Sequence, residues 1–207
     1  MPQPLHDTRT RRRRPGRPRR ATTDDAITRA ALDLLAERGF QAATVGAIAL
    51  RAGVGRNTIY RRWRSKEELI ADALRELTTD ISAWAEDDLY SLLLHWLREF
   101  SRTFSDPLYG RLLAGVLGEL QRNPVFADVY ADRVVRPRRE ALRARLTEAR
   151  DRGELRPDAD VELVADMLGG ALLVRLLPLG LPAADQSYPE ELLETIWRGI
   201  APQSASS

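Results

Sequence analysis

The chain has 207 residues, 43% of them hydrophobic and 30% charged, which is enough apolar mass for a packed core and too much for a wholly disordered chain. It has no cysteine, which excludes a disulfide framework and thiolate metal sites. Net charge is only +2, but the first 20 residues carry eight arginines and one aspartate, a net of +7, leaving −5 for the rest. A basic segment on a mildly acidic body points to a polyanion partner at the N-terminal end.

Residues 1–21 hold these arginines and four prolines without an apolar period, and read as a disordered basic arm. No apolar run follows the charges, so the start does not read as a signal peptide. From Thr22 the pattern turns helical. Thr22 or Thr23 caps a first helix of about Asp24–Arg38, with Ile27, Ala30, Ala31, Leu34 and Leu35 as its apolar face and Gly39 at its C-terminal end. A short helix follows over Thr44–Ala52, broken by Gly53, then another over about Arg56–Trp63. Ser65 caps a fourth helix, with Glu67 and Glu68 in its first turn, expected to run on to Ala85.

Five further helical segments read as Asp88–Phe104, Pro107–Gln121, Pro124–Asp151, Val161–Leu177 and Pro189–Ile200. The breakers between them are Asp106-Pro107, Asn123-Pro124, Gly153 with Pro157, and Gly180 with Pro182. No segment has the period of a β-strand, so the expected fold is all-α. The longest apolar stretch, Leu168 to Leu181, spans 14 residues and is interrupted by Arg175 and Pro178, too short to cross a bilayer. No membrane association is expected, and the absence of cysteine fits a reducing cytoplasm.

The strongest signal lies between Thr44 and Tyr60. Two short helices joined by a glycine turn form a DNA-reading unit whose second helix offers its N-terminal residues to the major groove. Ala49 is small where the helices meet, Gly53 suits a left-handed turn, and Val54 and Ile59 pack inward. Arg56 and Asn57 open the second helix and are the candidate base-readers. Arginine matches guanine O6/N7 and asparagine matches adenine N6/N7, each pair discriminating by ~1–3 kcal/mol. Thr44 caps the preceding helix, whose N-terminus suits a phosphate.

Ile48-Ala49, Ala52-Gly53-Val54, Thr58-Ile59-Tyr60, Trp63 and Ser65-Lys66-Glu67, at these spacings, resemble the DNA-binding domain of the TetR family over roughly residues 22–75. The resemblance implies phosphate and groove-edge contacts from Thr44, Thr58, Tyr60, Arg61 and Lys66; Val45 and Gly55 complete the candidate DNA-binding set. Arg62 and Arg64 either add charge to this face or are plain solvated groups. Many family members carry serine and glycine where this chain has Gly55 and Asn57, which raises the case for Asn57 as a base-reader. In the arm, Gly16-Arg17-Pro18 with Arg19 resembles hooks that lie in an A·T-rich minor groove, where narrow walls concentrate negative potential. The alternative is a solvated tail that attracts DNA without specificity.

The implied architecture is a three-helix DNA-binding domain (22–68) followed by a larger helical domain (69–202) for effector binding and dimerisation, with a short tail at 203–207. A palindromic operator on double-stranded DNA requires two copies of the reading helix, hence a homodimer. The family builds its dimer from the last two helices of each subunit, which here nominates Gly169, Gly170, Leu173, Leu193, Ile196 and Trp197; the alternative is core within one chain. The family's effector cavity would fall among the middle helices. Its candidate lining is Trp84, His95, Trp96, Phe100, Leu113 and Tyr130, with Phe104 on the same face; sequence does not separate such a lining from a packed core.

The six arginines between Arg133 and Arg145 alternate with acids and read as a solvated face. No histidine pair has metal spacing, and no nucleophile motif or phosphate loop is present, so neither an enzyme nor a cofactor is expected. The expected function is a sequence-specific transcription regulator, a repressor released from its operator by a small molecule. The rivals are an architectural DNA-binding protein with weak sequence preference and a small helical enzyme.

Overall fold

The computed structural model describes residues 19–77, 86, 88–176 and 187–202, and among these every regular element is helical. In chain order they are α1 (Arg19–Ala42), α2 (Val45–Ala52), α3 (Arg56–Tyr60), α4 (Lys66–Arg75), α5 (Leu89–Ser105), α6 (Pro107–Arg122), α7 (Pro124–Tyr130), α8 (Arg136–Asp151), α9 (Val161–Leu176) and α10 (Tyr188–Ile200). A five-residue π-helical turn, Ala131–Val135, joins α7 to α8 without a break.

Local chemistry sets most boundaries. Side-chain oxygens of Thr44, Ser65, Asp88, Asp106 and Asn123 each accept a backbone N–H from the first turn of the helix they precede. Proline opens α6 and α7, where its missing N–H costs nothing. Gly39 (φ 76, ψ 175) interrupts α1 directly after Arg38, where the sequence placed its end. Two expectations fail. α1 starts at Arg19, not Asp24, so Thr22 and Thr23 lie inside it. α4 ends at Arg75, capped by Glu76; the part of the expected helix beyond Leu77 lies outside the described residues, as do the arm before Arg19 and the tail at 203–207.

The Asp88 cap titrates. Its oxygen accepts the Ser91 amide at 2.8 Å, and that bond holds the carboxyl below its ordinary value of 3.8. The stabilisation is therefore present above the ordinary value and is lost as pH falls through the lowered one. Asp88→Asn keeps the cap without the charge, so its urea midpoint should fall less steeply than the parent's between roughly pH 5 and pH 2. Identical slopes would remove Asp88 from the acid response.

Two hydrophobic clusters organise the fold. The first joins α1 to α4 (Ile27, Leu34, Ile48, Ile59, Trp63, Leu69, Ile70) but also takes in Leu112 and Val116 of α6 and Phe126 of α7. The second joins α5, α8, α9 and α10 through Leu92, Leu97, Leu146, Leu168, Leu193 and Ile196. A boundary at residues 68 and 69 thus cuts through α4, whose Leu69, Ile70, Ala73 and Leu74 are core to the N-terminal helices. The α6–α7 segment, distant in sequence, is a wedge in the same core. Phe126 is fully buried with its ring 4.5 Å from Phe40 at the end of α1. Nearby, the Gln41 amide donates to the buried Glu119 of α6 at 2.9 Å.

Candidate nucleic-acid interface

The α2–α3 pair is built from its turn outward. Gly53 is left-handed (φ 67, ψ 31), a conformation that an L side chain rarely adopts. Its N–H donates to the Leu50 carbonyl at 3.3 Å and the next N–H, of Val54, to Ala49 at 3.0 Å, closing the end of α2. Ile48 and Ala49 bury one side of α2, and Ile59 with Trp63 buries one side of α3 and its exit. A bidentate Arg51–Glu37 pair ties α2 to α1. With one face of α3 fixed, its opposite face is left to solvent: Gly55, Arg56, Asn57, Tyr60 and Arg61 are exposed, with Thr44 exposed at the head of α2 and Val45 and Thr58 half-buried beside them. The structure therefore brings the sequence-nominated residues together on one surface. Gly55 has an ordinary backbone (φ −75, ψ 146) and caps α3 with no side chain.

Lys66 departs from that group. Its ammonium donates to the Phe40 carbonyl at 3.1 Å and sits 4.0 Å above the Phe40 ring, and burial pushes its pKa below the ordinary lysine value. It closes the end of α1 and does not project with the arginines of α3. Arg62 also turns inward: it pairs with Asp24 and donates to the Thr58 carbonyl at 3.0 Å, fastening α3 to α1. Arg64 is exposed. Arg17 lies outside the described residues, and of Arg19 only the backbone is described.

The effector candidates do not gather. Trp84 and the Phe104 side chain lie outside the described residues. His95 is exposed, with Nδ1 2.5 Å from Glu86, so it does not face inward. Trp96 and Phe100 pack on each other, 6.0 Å apart, at the edge of the second cluster. Tyr130 lies against the first cluster, 5.9 Å from Phe126, and burial raises its hydroxyl pKa. Leu113 is buried on α6.

The dimer candidates divide in the same manner. Leu193 and Ile196 are buried within their own chain, and Trp197 meets Tyr90 edge-on at 5.1 Å, so α10 uses its apolar stripe internally. Gly170 is exposed on α9, Gly169 and Leu173 are half-buried, and an added Cβ at either glycine would meet nothing within 4 Å among the described residues. Among the described residues, close helix approach does not explain these glycines. Val174, which closes the apolar stretch Leu168–Val174 that the sequence offers as an interface, is 47% exposed; sequence reading missed Leu163 and Met167 beside it, 56% and 39% exposed.

Arg133 and Arg138, of the six clustered arginines, are not solvated charges. Arg133, in the π-helical turn, reaches Glu68 at 3.1 Å and Asp72 at 3.0 Å on α4. Asp72 also accepts the Trp63 indole N–H at 2.9 Å, so one carboxylate links the exit of α3 to the C-terminal body. Arg138 donates to the carbonyls of Leu74 and Arg75 at 3.4 and 3.2 Å, closing the open end of α4. Only pairing across more than 60 residues reveals these roles. Arg136, Arg139 and Arg143 are exposed and paired with neighbouring acids, as the sequence implied.

A short outward-facing helix headed by arginine and asparagine, clamped to a second helix by a left-handed glycine, defines a helix-turn-helix DNA-binding protein on a helical body. The chain belongs to the TetR family of bacterial regulatory proteins. Residues 27–73 match the family described as bacterial regulatory proteins, tetR family, and residues 85–196 match the tetracyclin repressor-like C-terminal domain. The chain is 33% identical to the HTH-type transcriptional regulator YdeS of Bacillus subtilis, over 92% of its own length and 96% of YdeS. It is 28% identical to a DNA-binding transcriptional repressor TetR of Mycobacteroides abscessus, over 79% and 86% of the two chains. Among solved structures, the TetR family transcription regulator SCO0332 superposes with a TM-score of 0.70 at 30% identity, covering 87% of this chain and 99% of that one. The protein is accordingly a DNA-binding transcription regulator and not an enzyme.

Proposed function

We propose that this regulator is a homodimeric repressor that holds a palindromic operator through α3 and releases it when a small molecule binds the C-terminal domain. The single observation that carries the DNA-reading half is the exposed Arg56–Asn57 pair at the head of a helix whose other face is buried. Arg56 suits guanine and Asn57 adenine, with Thr44, Val45, Gly55, Thr58, Tyr60 and Arg61 lying along the phosphates and groove edge, and the basic arm with Arg17 reaching the neighbouring minor groove. Such a complex places the protein with the chromosome in the cytoplasm.

Dimerisation is supported by α9. Leu163, Met167, Gly170 and Val174 follow one another at helical spacings on one outward face, and the glycine admits a close partner helix. Release is supported by the α6–α7 wedge: a ligand that shifts α6 acts directly on the core holding α1 and α4, and thereby on the separation of the two recognition helices. A Bacillus subtilis FadR of the same fold, at 22% identity and a TM-score of 0.65, is known in complex with stearoyl-CoA.

Selection of bound DNA from a random pool tests this reading. The expected product is a palindrome with half-sites about one helical turn apart, bound by two subunits, with specificity over random DNA of at least roughly a thousandfold. A specificity ratio near unity would favour the architectural alternative, and a lone subunit on an asymmetric site would end the dimer model.

A further inference from the structure

We infer that Gly46 is a specificity-determining position: its missing side chain is the seat on which the Arg56 guanidinium is held for base reading. The inference rests on Arg56 as a base-reader and adds what aims it. A Cβ built on Gly46 would lie 2.8 Å from Nη2 of Arg56, 3.1 Å from Cζ and 3.2 Å from Nε. Three atoms of one guanidinium thus lie against the bare face of α2, closer than an alanine methyl tolerates. The long side chain leaves the head of α3, crosses to the first turn of α2 and rests its charged plane there.

Packing is what defines this position. Arg62, two residues past the end of α3, is fixed by Asp24 and by the Thr58 carbonyl, whereas among the described residues no carboxylate pairs with Arg56. An arginine without a partner in the free protein keeps its donors for the groove; one lying on a flat backbone surface also loses less rotamer freedom on binding. Backbone strain does not account for the glycine. Among the described residues the positive-φ glycines are Gly39, Gly53 and Gly153, so Gly46 has backbone that alanine adopts without strain, and glycine within a helix is less favourable than alanine.

The two consequences separate fold from recognition. The clashing atoms are the free end of a flexible side chain, so Gly46→Ala displaces the guanidinium without disturbing the core. The variant should melt no lower than the parent. Its preference at the base pair that Arg56 reads should fall about tenfold, toward that of Arg56→Ala, with preferences elsewhere in the half-site retained.

The experiment measures affinities for the operator selected from a random pool and for a panel of its single-base variants. The proteins are full-length parent, Gly46→Ala, Arg56→Ala and the double variant. The double variant should match Arg56→Ala, because the glycine acts only through the arginine. Full retention of the preference in Gly46→Ala, while Arg56→Ala loses it, overturns this inference and leaves Arg56 as a base-reader. A double variant that loses as much again relative to Arg56→Ala also overturns it, since Gly46 would then touch DNA itself. If Arg56→Ala alters no base preference, Arg56 is not a base-reader and the inference falls with it.

Discussion

Phe126→Ala should destabilise the whole protein by about 3–5 kcal/mol, although the residue lies 66 positions beyond Tyr60 at the end of the recognition helix. The ring is fully buried, 4.5 Å from Phe40 and 5.9 Å from Tyr130, and shares a cluster with Ile48, Ile59 and Trp63. Truncation removes its transfer free energy and leaves a cavity bounded by α1 and α7 that neither helix can fill alone. For a chain of this length each kcal/mol moves the melting temperature by roughly 2–4 °C, so calorimetry should show a drop of about 6–20 °C. Operator affinity should fall with it, because the cavity opens beneath the helices that orient α3. A loss under about 1 kcal/mol would mean that α7 merely lies on the DNA-binding helices and is not core to them.

Asp72→Ala is expected to cost about 1–3 kcal/mol by stranding the buried Trp63 indole N–H, with a smaller addition from Arg133, whose side chain is partly open to solvent. Asp72→Asn keeps an acceptor for the indole and removes the charge, so it should lose clearly less. Denaturant unfolding of the two variants gives the comparison. The loss should also reach DNA. Trp63 lies three residues past the end of α3, and its buried ring helps Ile59 hold that helix against the core. Operator affinity measured well below the melting temperature should therefore drop in Asp72→Ala more than in Arg133→Ala, which leaves the Trp63 bond intact. Equal losses in the two variants would shift the role from the indole to the ion pair. If neither variant altered DNA binding, the link from the π-helical turn to α3 would be purely a matter of stability.

The coupling these two substitutions probe has a plain geometry. α6 and α7 connect the C-terminal body to the N-terminal core through Val116, Glu119 and Phe126, while Arg133 and Arg138 grip the two ends of α4. A displacement of the α6–α8 run would be passed to α1 and α4 through these contacts, which are apolar on one side and ionic on the other. A bistable element biased at one site and read at another is what regulation requires.

Most helix boundaries and the reading surface were legible in the residues alone. Caps such as Thr44, Ser65, Asp106 and Asn123 act within three residues of their targets, and the left-handed turn at Gly53 is a property of one residue. The outward set on α3 followed as well, because Ile59 and Trp63 bury one face and leave Arg56, Asn57, Tyr60 and Arg61 on the other. What each apolar stripe meets depends on how the helices pack in three dimensions. An amphipathic pattern says that a face is buried, not against which neighbour, so the α10 stripe of Leu193 and Ile196 went to its own chain while α9 kept Leu163, Met167 and Val174 outside. Ion pairs obey the same limit. Arg62, Arg133 and Arg138 look like any surface arginine until the fold brings Asp24, Asp72 and the end of α4 within reach, since charge attraction depends on distance in space and a sequence records only distance along the chain.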